Sequence, residues 1–286
     1  MNSITAVAYA KLTLALHVTG VRDDGYHELD AIVVSISEPA DTVTLEFAER
    51  DVLAVDGPAS PGVPADYSNL AARALAVLRD NAIDVPPLRI ALTKVIPHGA
   101  GLGGGSADAA AVLVAARTLC GLDLDDMDLM QFGAQLGADV PVCIRGGMTH
   151  MTGRGEQVEP LPWGGPFGVV IAVPPFGMST PAVYREWDAL GGPQTTREVR
   201  PMETGPALRN DLEPAAESLA PELIGIRESI ARVTGYEPLL AGSGSGYACL
   251  VADGREARRC VNVLAEKMPQ LRTFAGIATP EGVGTI

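Results

Sequence analysis

Lysine is scarce in this chain of 286 residues: Lys11, Lys94 and Lys267 are the only three among 21 basic residues, and 35 acidic residues leave a formal charge of −14. A surface of that sign repels nucleic acid and anionic lipid, so neither is expected as a partner, and an anionic ligand needs a local binding device. Cysteine is sparse as well. Cys120, Cys143, Cys249 and Cys260 contain no CxxC pair and sit among apolar neighbours, which argues against a zinc site or a disulfide framework and for reduced, buried thiols. The longest uncharged stretch, residues 160–184, is too rich in proline and glycine to cross a bilayer as a helix. The first ten residues lack Lys and Arg, so a secretory signal lacks its basic start and a cytoplasmic location is expected. No GK[ST] tripeptide occurs, which excludes a P-loop NTPase.

The apolar share of 47% against 20% charged residues describes a globular chain, and its length favours two domains. Residues 4–18 alternate as a long strand, with Leu12, Leu14, Leu16 and Val18 on one face and Lys11, Thr13 and His17 on the other. Asp24-Gly25 signals a hairpin into a strand at 29–36, followed by another at 42–47. Ser68 is placed to cap a helix over 69–80 whose buried stripe is Leu70, Ala74, Leu75 and Leu78. A strand at 88–96 leads into a glycine-rich loop, a helix over 106–120 that Ser106 is placed to cap and Gly121 to end, and a helix over 127–136. A short buried strand is expected inside GADVPVCIRGG. The rigid segment 160–166 marks a boundary between domains 1–160 and 161–286. The second half reads as strands and helices with a loop at 191–206, so the fold class is α+β.

Six of the eight residues 99–106 are Gly or Ser, and a helix follows at once. Backbone amides freed of side chains can converge on an anion, and a helix start adds its unpaired N–H groups and dipole, so phosphate is the natural ligand. Gly99, Gly101 and Gly104 match the spacing of the dinucleotide fingerprint. The loop lies in mid-domain, however, which argues against a dehydrogenase.

Ala10-Lys11-Leu12, DGYHEL (24–29), PHGAGLGGGS (97–106), LGADVP (136–141) and GSGSG (242–246) follow one another in an order that resembles the GHMP kinase superfamily over almost the whole chain. The resemblance implies a ribosomal S5-like N-terminal domain, a ferredoxin-like C-terminal domain and an active site between them. It further implies ATP as phosphoryl donor, Mg²⁺ with it, and a monomer or weak dimer. The DGYH hairpin combined with GGGSADAA and LGADVP narrows the likeness to the branch whose acceptor is a cytidine diphosphate-linked methylerythritol. Another small-molecule alcohol kinase, or a catalytically silent nucleotide-binding module, is the alternative.

By the same resemblance, Asp139 is the catalytic base and Lys11 the cation paired with it. Pro97, His98, Gly99, Ala100, Gly101, Leu102, Gly103, Gly104, Gly105, Ser106 and Ala107 meet the ATP phosphates. Tyr26 and His27 hold the cytosine, Tyr184 closes an aromatic sandwich around it, and Thr180 and Pro181 line the same pocket. Thr13 stands where the family usually has Asn, beside Lys11 and near the acceptor. No metal ligand is assigned, because His17, His98 and His150 lack ligand spacing.

Overall fold

A computed structural model describes residues 2–192 and 208–285, so the loop read at 191–206 lies outside the described residues from position 193 onward. Two long strands, β1 (Ser3–Val21) and β2 (His27–Phe47), pair antiparallel along their whole length around the Asp24-Gly25 turn. The expected strands at 29–36 and 42–47 are therefore one strand, held continuous because β1 runs opposite both.

The expected common face of Leu12, Leu14, Leu16 and Val18 is broken by a bulge. Thr13 pairs with Val33 and Ala15 with Ile32, which leaves Leu14 as an extra residue. One extra residue reverses the parity of everything after it. Leu12 and Leu14 accordingly pack with Val34 and Ile36, whereas Leu16 and Val18 pass to a second cluster with Leu29, Ala31 and Val33.

The chain continues through β3 (Val52–Asp56), α1 (Leu70–Asp80), β4 (Leu88–Thr93), α2 (Gly104–Cys120), α3 (Asp126–Leu136), α4 (Val140–Arg145), β5 (Met148–Gly153) and β6 (Gln157–Pro160). The cap of α1 is Asn69, whose side chain accepts from the Ala71 amide at 2.9 Å, while the Ser68 hydroxyl turns to Asp66. Ala71 takes the buried place expected of Leu70. The strand expected within GADVPVCIRGG is instead α4: Pro141 suits a first helical turn, and Gly146, at φ +66°, ends it. Helix α2 starts at Gly104, two residues before the expected cap. Gly103, at φ +70°, turns directly into the helix, and Ser106 is its third residue.

Residues 161–167 carry no regular structure and connect to β7 (Gly168–Val173). Then come α5 (Thr180–Ala189), β8 (Arg209–Asn210), α6 (Glu213–Leu219), α7 (Glu222–Thr234), β9 (Leu239–Leu240), β10 (Tyr247–Val251), α8 (Gly254–Lys267), β11 (Arg272–Thr279) and β12 (Gly284–Thr285). The main path of the sheet runs β12-β1-β2-β11-β7-β10-β9, and β4 and β5 pair with the two ends of β2. Strand β11 joins the halves: it pairs with β7 through Ile277 and with β2 through Ala278 and Thr279.

Helix α2 is buried almost all round, between β1 and β2 on one side and α1 and α4 on the other. That location explains its composition, since Ala107, Ala109, Ala110, Ala111, Ala115 and Ala116 are all fully buried and let the neighbouring elements approach closely. Enlarging one of them forces those neighbours apart. Ala110→Leu is expected to lower the unfolding free energy by about 1–3 kcal/mol, read from urea denaturation midpoints at unchanged slope.

Candidate active site

A cleft of about 1170 Å³ opens over the start of α2. Every site residue expected from the sequence lies on its wall except Ala107. Ala107 is fully buried behind the loop, and its amide already donates to the Gly103 carbonyl at 2.9 Å.

The glycine loop is ordered through its carbonyls. Gly99 O accepts from the amides of Met178 and Ser245 at 3.0 Å each, Ala100 O from Gly246 at 3.2 Å, and Leu102 O from the Lys11 amide at 3.1 Å. Among the described residues, the amides of Gly99 to Gly103 donate to no main-chain carbonyl. Those of Gly104, Gly105 and Ser106 are the orphan donors of a helix start. The path requires glycine: Gly101 has φ +75°, and a methyl group there would fall 1.7 Å from the Ala241 carbonyl oxygen. The result is a row of free N–H groups beside the positive end of α2, suited to an anion. The segment GSGSG is thus the seat on which the loop rests, and Asn210 holds it by donating to the carbonyls of Leu240 and Gly242 at 2.9 and 2.6 Å.

Lys11 runs beneath Gly103, where an added methyl would meet its Cγ at 2.8 Å. Its ammonium lies 3.2 Å from Asp139 Oδ2 and donates to Thr13 Oγ1 at 3.3 Å. Lys11 and Thr13 are both buried, on a strand stretch that their polarity alone would place at the surface. Asp139 occupies the cap position of α4 but makes no capping bond with its side chain, which leaves the carboxylate, 30% exposed, facing Lys11 and the cleft.

At the other end of the cleft, the His27 ring lies 4.6 Å from Tyr184 and edge-on to Trp187 at 5.6 Å, and its Nε2 meets Asp188 Oδ1 at 2.8 Å. Tyr184 therefore packs on His27, while Tyr26 is exposed with the Arg154 guanidinium 4.9 Å above its ring. Burial, with the Asp139 charge adding, pushes the Tyr184 phenol far above its ordinary value, so it remains a neutral hydroxyl. Thr180 joins its hydroxyl to that of Ser243 at 2.8 Å, tying the start of α5 to the GSGSG turn. Pro181, at the same helix start, also faces the cleft.

Several pairings of the site escape the sequence. Lys94, buried, ion-pairs with Asp41 and with Asp108 Oδ2, the latter at 2.6 Å. Asp41 Oδ1 in turn accepts from the amides of Val95 and, at 2.8 Å, Ile96. Burial raises the Asp108 carboxyl above its ordinary value, with Lys94 opposing and Asp41 adding, and among the described residues its Oδ1 finds no hydrogen-bond partner. The scarcity of lysine is the one signal that singles out Lys94. Asp188 and Trp187 share a helix face with Tyr184, but Arg154 sits in a hairpin with no local pattern to mark it.

Comparison with known proteins gives the family of the chain. Residues 69–147 match the GHMP kinases N terminal domain. The chain is 39% identical over 282 residues to the 4-diphosphocytidyl-2-C-methyl-D-erythritol kinase of Moorella thermoacetica, covering 94% of this chain and 98% of that one. It is also 39% identical over 288 residues to the same-named enzyme of Brucella melitensis, covering 93% and 92%. A crystal structure of 4-(cytidine 5'-diphospho)-2C-methyl-D-erythritol kinase superposes with a TM-score of 0.78 at 33% identity, over 96% of this chain and 99% of that one. The L. major mevalonate kinase in complex with R-mevalonate, at TM-score 0.68 and 20% identity over 96% of each chain, shares the fold. With a phosphate-type glycine loop, a lysine-aspartate pair beside it and relatives of this similarity over nearly its whole length, the chain is a small-molecule kinase that belongs to the 4-diphosphocytidyl-2-C-methyl-D-erythritol kinase family.

Proposed function

We propose that this enzyme transfers the γ-phosphate of ATP to the 2-hydroxyl of 4-diphosphocytidyl-2-C-methyl-D-erythritol. The observation that carries the assignment is the Lys11–Asp139 pair, 3.2 Å apart, set directly against Gly103 of the glycine loop. The nucleotide enters as its Mg²⁺ complex, in which the metal neutralises the transferring phosphates. The free amides of residues 99–106 receive the triphosphate. Asp139 orients the acceptor hydroxyl and takes its proton as the new P–O bond forms and the bond to ADP breaks. A carboxylate is a weak base for an alcohol, but a loose phosphoryl transition state lets the proton leave late, so orientation dominates. Lys11 holds Asp139 in place and stabilises charge on the acceptor oxygen.

The cytidine end of the acceptor is assigned to the aromatic end of the cleft. Tyr26 offers an exposed ring for stacking, and His27 is fixed in orientation by Tyr184, Trp187 and Asp188. The four cysteines are free thiols, which suits the reducing cytoplasm. A division at residues 160 and 161 is supported by the irregular connection that follows, and we assign a monomer or weak dimer.

The direct test is purified protein with MgATP and a panel of alcohols, including mevalonate and homoserine, with product followed by phosphorus NMR. Phosphorylation of the cytidine acceptor alone supports the assignment, and phosphorylation of another alcohol in preference to it refutes the substrate. Asp139→Asn is expected to lower kcat by about 10²–10⁴-fold while ATP affinity, measured by calorimetry, stays within a few-fold. Tyr26→Ala should raise KM for the cytidine acceptor by the equivalent of about 1–3 kcal/mol and leave KM for ATP unchanged. Equal effects on both substrates would exclude stacking on Tyr26.

A further inference from the structure

Lys94 plays no part in the chemistry above, yet it is one of only three lysines, and its ammonium is buried. Two of the three lie under consecutive residues of the glycine loop. The Lys11 stem passes beneath Gly103, and Lys94 Nζ would lie 3.3 Å from a methyl placed on Gly104. Lys94 closes the end of β4 just before the loop, and Asp108 belongs to the first turns of α2 just after it. One ammonium therefore spans the two ends of the loop. The entry side is anchored a second time, because Asp41 of β2 receives both Lys94 and the Val95 and Ile96 amides.

Buried ion pairs seldom raise stability over a well-packed apolar substitute, since the desolvation cost cancels most of the attraction. What a bridging ammonium supplies here is geometry. A loop this rich in glycine has many conformations to lose, and binding weakens by whatever ordering is left until the ligand arrives. We propose that Lys94 and Asp108 are positioning residues of the donor site: their ion pair clasps the strand entering the glycine loop to the helix leaving it, so the amides of residues 99–106 are aligned before the triphosphate arrives. Both roles presuppose that this loop receives the triphosphate of ATP.

The clasp can be cut without stranding a charge. Asp108→Leu leaves Lys94 paired with Asp41, whereas Asp108→Asn keeps an oxygen to accept from Lys94. Binding of ATP and of adenosine, without acceptor, is measured by calorimetry for the wild type and both variants, with thermal melting alongside. Asp108→Leu is expected to lose about ten-fold or more in ATP affinity, to keep its adenosine affinity and acceptor KM, and to melt no lower than the wild type. Asp108→Asn should recover most of the lost affinity. A cut from the other side that leaves no charge unpaired, Lys94→Met with Asp41→Asn and Asp108→Asn, should reproduce the selective loss. If Asp108→Leu retains the wild-type preference for ATP over adenosine, the clasp is refuted while the loop keeps its assigned ligand. Equal losses for ATP and adenosine together with a lower melting temperature would reduce the pair to a structural role. If the wild type itself binds adenosine as tightly as ATP, the assignment of the loop falls, and the clasp with it.

Discussion

The site depends on where the carbonyl groups of one glycine loop go. Main-chain N–H and C=O groups alternate along any loop, and a loop that turned both toward a ligand would repel an anion as much as attract it. Here the oxygens of Gly99, Ala100 and Leu102 are consumed by the amides of Met178, Ser245, Gly246 and Lys11, and the nitrogens remain for the cleft. The contacts come from three separate parts of the chain: β1, the segment before α5, and the turn between β9 and β10. The row of free amides is therefore a product of tertiary docking. Its glycines are needed as much for close approach as for flexibility, since the Gly101 position leaves no room for a side chain against Ala241.

Electrostatics follow the same logic of local placement. A chain of charge −14 has no general attraction for ATP or for a diphosphate, and the cleft compensates with cations fixed at particular points. Lys11 is held by Asp139 and Thr13, Lys94 by Asp41 and Asp108, and Arg154 lies over Tyr26. The lysines sit where a side chain must pass under a backbone in close contact, and the slender ammonium stem fits beneath Gly103 where a planar guanidinium is bulkier. Elsewhere the basic residues of this chain are almost all arginine, so the two buried lysines mark where shape as well as charge is demanded.

The parts of the fold that were legible in the sequence are those set by local chemistry. The Asp24-Gly25 turn, the end of the glycine-loop helix at Gly121, and the irregular connection after residue 160 lie where the turn and cap residues put them. The departures arise from contacts distant in sequence. The bulge at Leu14 depends on the pairing partner of β1, so alternation alone assigned Leu16 and Val18 to the wrong cluster. Likeness to a family singled out Asp139 as a candidate beside Lys11, but its freedom from capping α4 is visible only once the helix replaces the expected strand. Asp41 and Asp108 were not legible as partners, because what joins them is a lysine distant in sequence from Asp41 and separated from Asp108 by the loop itself.

Thr13 shows how a departure from the family pattern is accommodated. An amide at this place could accept from the lysine with its oxygen and donate from its nitrogen, whereas a hydroxyl must do both from one atom. Thr13 accepts from Lys11 at 3.3 Å, so its single proton is still free to point elsewhere. The bulge that follows immediately, at Leu14, keeps Thr13 and Lys11 buried together while turning the later residues of β1 to the other cluster. Threonine is also stiff and favoured in a strand, so the hydroxyl is held without the amide's freedom to flip. Lys11 then spends one donor on Asp139 and one on Thr13, and its third has no partner among the described residues. The stem lies under Gly103 and the ammonium beside Gly242, where the loop and its seat meet. In the proposed transfer the free donor is thereby available to charge growing on the acceptor oxygen, and such a role needs the ammonium oriented, which one hydroxyl at position 13 supplies.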